Sequence, residues 1–175
     1  MNRTLKYALV ACFGMVAPTW AQQVDWQTPK TQSAEPKPIG SPRDVARFFV
    51  KHTGVNRNFI YILLHATQTS PQVQALYGQF PKEKVDKAVR IAIQPVVRKH
   101  FAEWEANLAL TYLEFFTPEV LHSLATERTN SPYFGEFQAK SPKVGPRMRE
   151  RIAGLLNEAS VEAINIVRSE LKKTP

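Results

Sequence analysis

Metal or acid–base chemistry would begin with histidines and carboxylates at close spacing. Glu119-Val120-Leu121-His122 has the Glu-x-x-His spacing by which helical bundles hold paired iron ions, and His100-Phe101-Ala102-Glu103 carries the same pair reversed. Such a centre takes two Glu-x-x-His pairs plus two glutamates pointing inward from other helices. Only one pair here runs in the required direction, and Glu119 stands at a helix start, where a carboxylate already has a capping role. No metal site is expected. His52, His65 and His100 each fall on or beside an apolar stripe, where a hydrogen-bonded core histidine is the simpler assignment.

Nucleophilic chemistry fares no better. Ser41, Ser70, Ser131 and Ser141 each directly precede a proline, which assigns them to helix starts rather than to attack on a substrate. There is no Gly-x-Ser-x-Gly elbow. Glu103 and Glu105 are two apart, so on a helix they face different directions. The seven glycines build no phosphate-cradling loop. Cys12 is the only cysteine and lies in a segment read below as a leader, so the mature chain has no thiol and no disulfide. The sequence therefore predicts no catalytic residue and no cofactor, and a hydrolase with an unrecognised site is the weakest reading.

Charge offers a different chemistry. Lys140, Lys143, Arg147, Arg149 and Arg151 fall in one short segment opposed only by Glu150. Ser141-Pro142 places that segment at the start of the last helix, where cations oppose the helix dipole and call for a reason; contact with an anion would supply one. Solvated charge on a helix face is the plain alternative. Tyr133 and Phe134, just after Ser131-Pro132, are rings beside a loop that could serve binding, with core packing as the default.

These side chains must be held by helices. Five hydroxyl–proline pairs, at Ser41, Ser70, Thr117, Ser131 and Ser141, each pair a capping oxygen with a residue suited to the first helical position. Asp44, three residues after Ser41, adds an acid near the positive end of the first helix. Apolar residues then recur at helical spacing. Val45, Phe48, Phe49 and His52 form one stripe, ending by Gly54, and Phe59, Ile62, Leu63 and Ala66 a second. Val73, Leu76, Tyr77 and Phe80 make a short third. A long run steps from Val85 through Val89, Ala92, Val96, His100, Trp104, Leu108 and Thr111 to Phe115, with Pro95 inside it and a kink expected there. The last helix carries Met148, Ile152, Leu155, Ala159, Ala163 and Ile166, a face widened by Leu156, Ile164, Val167 and Leu171. The predicted fold is an all-α bundle of five to seven helices over residues 42–173, with no strand.

The residues before it predict export. Arg3 and Lys6 precede the apolar run Tyr7–Ala17, and Thr19-Trp20-Ala21 supplies small residues at −3 and −1, the parts of a signal peptide over 1–21 with Gln22 as the new N-terminus. Leu9-Val10-Ala11-Cys12 offers a rival lipoprotein reading, and a buried N-terminal helix is the third alternative. Residues 22–41, broken by Pro29, Pro36 and Pro38 and with Trp26 as their one large anchor, read as a flexible arm. Losing Arg3 and Lys6 takes the formal charge from +8 to +6, an excess that favours anionic partners.

Phe115-Phe116-Thr117-Pro118-Glu119-Val120-Leu121, followed by Ser131-Pro132 and Gly135, resembles the C-terminal helical module of a family of exported proteobacterial proteins catalogued as domain of unknown function 2059. The likeness extends loosely over residues 43 to 172. The chain has Arg128-Thr129-Asn130 where that family sets an aromatic pair, and Gly135 falls one residue late. The resemblance implies helices and an exported location and carries over no catalytic residue. The expected function is a non-catalytic periplasmic or secreted protein that binds another envelope component, protein or anionic polymer, through a basic surface. A soluble carrier of an apolar or lipid ligand is the alternative. Nucleic acid is not expected as a partner, and no transmembrane anchor is expected after leader cleavage.

Overall fold

The computed structural model describes residues 40–173; the expected leader, Cys12, Trp26 and nearly all of the expected arm lie outside the described residues. The described chain is all-α, with six α-helices: α1 (Pro42–Thr53), α2 (Asn58–Thr69), α3 (Pro71–Tyr77), α4 (Lys82–Leu113), α5 (Pro118–Glu127) and α6 (Phe134–Lys173). Short 3-10 turns at Val55–Arg57 and Arg128–Asn130 join them, and no strand occurs among the described residues. None of these helices is long and apolar enough to cross a membrane.

Most of the hydroxyl–proline starts hold at the atomic level. The Ser41 backbone N–H and hydroxyl both donate to Asp44 Oδ2, at 3.2 and 2.6 Å, while Ser41 Oγ accepts from the Asp44 N–H at 3.3 Å: a reciprocal capping box. Ser70 accepts from Val73 N–H at 3.3 Å, and Thr117 from Val120 N–H at 3.5 Å. α1 gives way at Gly54, whose φ of 72° is left-handed and favours glycine. Ser131 leads into α6 through a turn, and its hydroxyl pairs with that of Ser123 at 2.8 Å.

Ser141-Pro142 starts no helix. α6 begins at Phe134 and continues through both Pro142 and Pro146. Instead of capping, the buried Ser141 hydroxyl turns back and donates to Phe137 O at 2.6 Å. The two prolines and Gln138 are exposed, so the carbonyls that the prolines leave unpaired, those of Gln138 and Pro142, lie on the face that meets water. Pro95 sits in α4 in the same way, exposed next to exposed Gln94.

Within the segment expected to be one domain, the contacts group into two compact units: residues 40–52 with 109–150, and residues 53–108 with 151–173. The first is built on rings. Phe49 meets Tyr112 edge-on at 4.8 Å and Phe137 at 6.1 Å, and Phe116 lies 5.4 Å from Phe137. In the second, Trp104 stacks on Phe59 at 5.0 Å, and α4 also buries the stripe Val85, Val89, Ala92 and Val96. From α6 the same unit buries Ile152, Leu155, Ala159, Ala163, Val167 and Leu171. Trp104 Nε1–H donates to Asn56 O at 3.0 Å, and the Asn56 amide donates to Glu105 at 2.6 Å, which satisfies a polar corner of that core.

Candidate functional site

The five cations singled out by their density lie in the interior of α6, so the dipole argument for an anion at a helix start does not apply to them. Two are committed within their own unit. Lys140 Nζ donates to Phe115 O at 3.0 Å, closing a carbonyl just beyond the end of α4, and to Glu136 at 2.7 Å; it also lies 5.5 Å over the Phe116 ring. Arg147 takes both oxygens of Glu114, at 2.7 and 3.3 Å, and Glu150 at 2.7 Å. Arg149 is exposed and Arg151 half-buried, and each has a partner. Lys143 alone is exposed and makes no hydrogen bond or ion pair among the described residues. At about 100° per residue, Arg149 also projects from the side of the helix opposite Arg147. The segment is dense in charge along the sequence and largely neutralised in space.

Tyr133 is exposed at 37% and Phe134 half-buried, so core packing holds for neither in full. Tyr133 lies in the turn ahead of α6, outside the buried stripe of Phe137, Ser141, Val144 and Met148. Its backbone N–H is held by Ser131 Oγ at 3.2 Å.

Of the three histidines expected in the core, His100 is there. Its Nε2 lies 3.0 Å from Glu162 Oε2, an oxygen that also accepts from Lys99 Nζ at 2.7 Å. His52 and His65 are exposed. The buried face of α1 runs through Val45, Ala46, Phe49 and Val50, which leaves His52 on the rim with its ring against Phe48 and Nδ1 3.0 Å from Phe48 O. In α2 the face turns through Phe59, Leu63 and Thr67 and misses His65. Glu119 is exposed, and its carboxyl is held below the usual range chiefly by the Thr117 hydroxyl, as befits a helix start. His122 stacks instead on Phe48 at 5.7 Å. Among the described residues no group of three or more His, Cys, Asp or Glu side chains is placed to hold a metal ion, and no serine or threonine hydroxyl is bonded to a histidine ring.

The Lys99–Glu162–His100 cluster carries a pH signature. The bonds from Lys99 first, and then His100, hold the Glu162 carboxyl below the usual carboxylate range. A carboxyl depressed on folding contributes stability above its unfolded pKa and loses it as pH falls through the folded value. Glu162→Gln should therefore lower the unfolding free energy at pH 7 by about 0.2–1 kcal/mol. The difference should vanish at the acid end of a pH series of urea melts; a gap that persists there would mean the loss is not electrostatic.

A cationic face that the sequence reading passed over lies on α4. Lys87, Arg90 and Arg98 are exposed and make no hydrogen bond or ion pair among the described residues. Their spacing keeps them on one side of the helix over about 16 Å. Ile91, 44% exposed, and Pro95 lie between them, and no aspartate or glutamate occurs from Lys87 to Ala102. A smaller row, Arg43, Arg47 and Lys51 at four-residue steps, is likewise exposed on α1. The sequence signal was there in the acid-free stretch, but three cations spread over three turns read as less dense than five within twelve residues.

Comparison with protein-family models, with curated proteins and with solved structures finds no match to this chain.

Proposed function

We propose that this chain is a non-catalytic helical protein of the periplasm or extracellular space that binds an anionic component of the cell envelope through the exposed face of α4. One observation carries the reading: Lys87, Arg90 and Arg98 stand on one side of α4 with no hydrogen bond or ion pair among the described residues, and no acid follows Asp86 until Glu103. Exposed cations that no ion pair ties down attract anions at long range, and an exposed isoleucine among them adds apolar contact to a surface. The leader-like residues 1–21 support an exported location.

Each basic side chain near an anionic surface contributes about 1 kcal/mol. Changing Lys87, Arg90 and Arg98 together to Gln should thus weaken binding to phosphatidylglycerol vesicles, or to an anionic envelope polysaccharide, by about 100-fold. The control is Arg43, Arg47 and Lys51 changed to Gln, which removes the same net charge from α1. Binding in 0.15 M salt should be weaker than at low ionic strength, because exposed charges are screened beyond about 8 Å. Equal loss from the two triple variants, or no loss from the first, would end the assignment to α4.

A further inference from the structure

A separate feature of the second unit is apolar. Between α3 and the end of α6 runs a groove of about 600 Å³ floored by Ala75, Leu76, Phe80 and Leu171. That volume lies within the range of sites that take small organic ligands, roughly 300–1,000 Å³. The groove face of α3 is held in place from behind. Val73 is fully buried, and Tyr77 donates its hydroxyl to Asp86 on α4 at 2.7 Å, while Lys82 closes the same carboxylate at 2.5 Å.

The charge on this groove has one sign. Arg168 and Lys172, four residues apart and so on one side of α6, both line it, and no aspartate or glutamate does. Both are exposed and neither makes a hydrogen bond or ion pair among the described residues. Glu170, the nearest acid in sequence, projects from the other side of the helix and is taken by Lys173 at 2.7 Å. Lys172 stands in the last turn, where the negative helix end favours any cation; Arg168 stands before that turn and has no such reason. An apolar channel beside two uncommitted cations complements one kind of molecule, a single hydrocarbon chain ending in an anion. Arg168 suits the anionic end, since a guanidinium can bind both oxygens of a carboxylate.

We infer that the α3–α6 groove binds a long-chain fatty acid, its carboxylate on Arg168 and Lys172 and its chain along Ala75, Leu76, Phe80 and Leu171. This site is independent of the α4 face. The test is titration of the whole exported chain with palmitate and with hexadecanol, the uncharged alcohol of equal length, both below aggregation. Palmitate should bind saturably and at least ten-fold tighter than the alcohol. Arg168→Gln with Lys172→Gln should bring palmitate down to the alcohol's level, and Ala75→Trp, which fills the floor, should abolish both. All three positions are exposed, so helicity by circular dichroism should not change. The Lys87, Arg90 and Arg98 triple variant should bind palmitate as the unaltered protein does. Absence of saturable palmitate binding, equal affinity for acid and alcohol, unchanged binding by the double variant or by Ala75→Trp, or a loss in the α4 variant as large as in the double variant, would overturn the assignment.

Discussion

Trp104→Ala is expected to remove about 3–5 kcal/mol of unfolding free energy, enough to abolish much of the stability of a domain this size. Trp104 is fully buried, and two separate losses add at its position. Its ring stacks on Phe59 at 5.0 Å, so truncation opens a cavity that the surrounding helices can only partly close. Its Nε1–H also satisfies the Asn56 carbonyl, and Asn56 is itself buried and bonded to Glu105. Removing the indole takes away one of that carbonyl's donors, the other being the Asn58 N–H, and a lost hydrogen bond costs about 0.5–1.5 kcal/mol on its own. Trp104→Phe separates the two: it keeps a ring against Phe59 and loses the donor, and should cost about 1–3 kcal/mol. Urea denaturation followed by circular dichroism measures both variants. A Phe variant as damaged as the Ala variant would mean that the hydrogen bond, not ring packing, carries the site.

Trp104 also shows what the sequence made legible. Eight successive positions from Val85 to Thr111, stepping by three or four, are all buried, because a 32-residue amphipathic run admits only one helical register. The ninth, Phe115, lies past the end of α4 and is half-buried. Hydroxyl–proline punctuation worked where the hydroxyl had a free N–H ahead of it, at Ser41, Ser70 and Thr117. It failed at Ser141 because a serine inside a helix can satisfy itself on the carbonyl four residues back, and a proline on the wet face of a helix need not end it. The basic segment meets a related boundary. Its density along the chain says nothing of Glu114, far off in sequence, which takes up Arg147. The α4 face required knowing which side of the helix meets water, and the α3–α6 groove joins residues about ninety positions apart. Local pattern predicts elements and their buried sides; it does not predict which charges find partners.

The aromatic doublets mark the same boundary and supply the second large effect. Phe48-Phe49 and Phe115-Phe116 offer two rings each, and the expected apolar stripes take in Phe48, Phe49 and Phe115 without separating the members of a pair. In the first unit Phe49 and Phe116 are buried, while Phe48 and Phe115 are half-buried. Phe49 stands edge-on to Tyr112 at 4.8 Å and to Phe137 at 6.1 Å, geometry in which the positive rim of one ring meets the negative face of another. Phe49→Ala should therefore cost about 3–5 kcal/mol. Phe48 packs on His52 and His122 near the surface, so Phe48→Ala should cost about 1 kcal/mol, the centre of the range for ordinary substitutions. The ring-to-ring part is separable: a Phe49→Leu, Tyr112→Leu double-mutant cycle should return a coupling of about 0.5–1.5 kcal/mol. Thermal and urea melts of the five variants decide the matter. Similar losses from Phe48→Ala and Phe49→Ala would mean that both rings are buried, and a coupling near zero would mean that the cluster is held by volume alone.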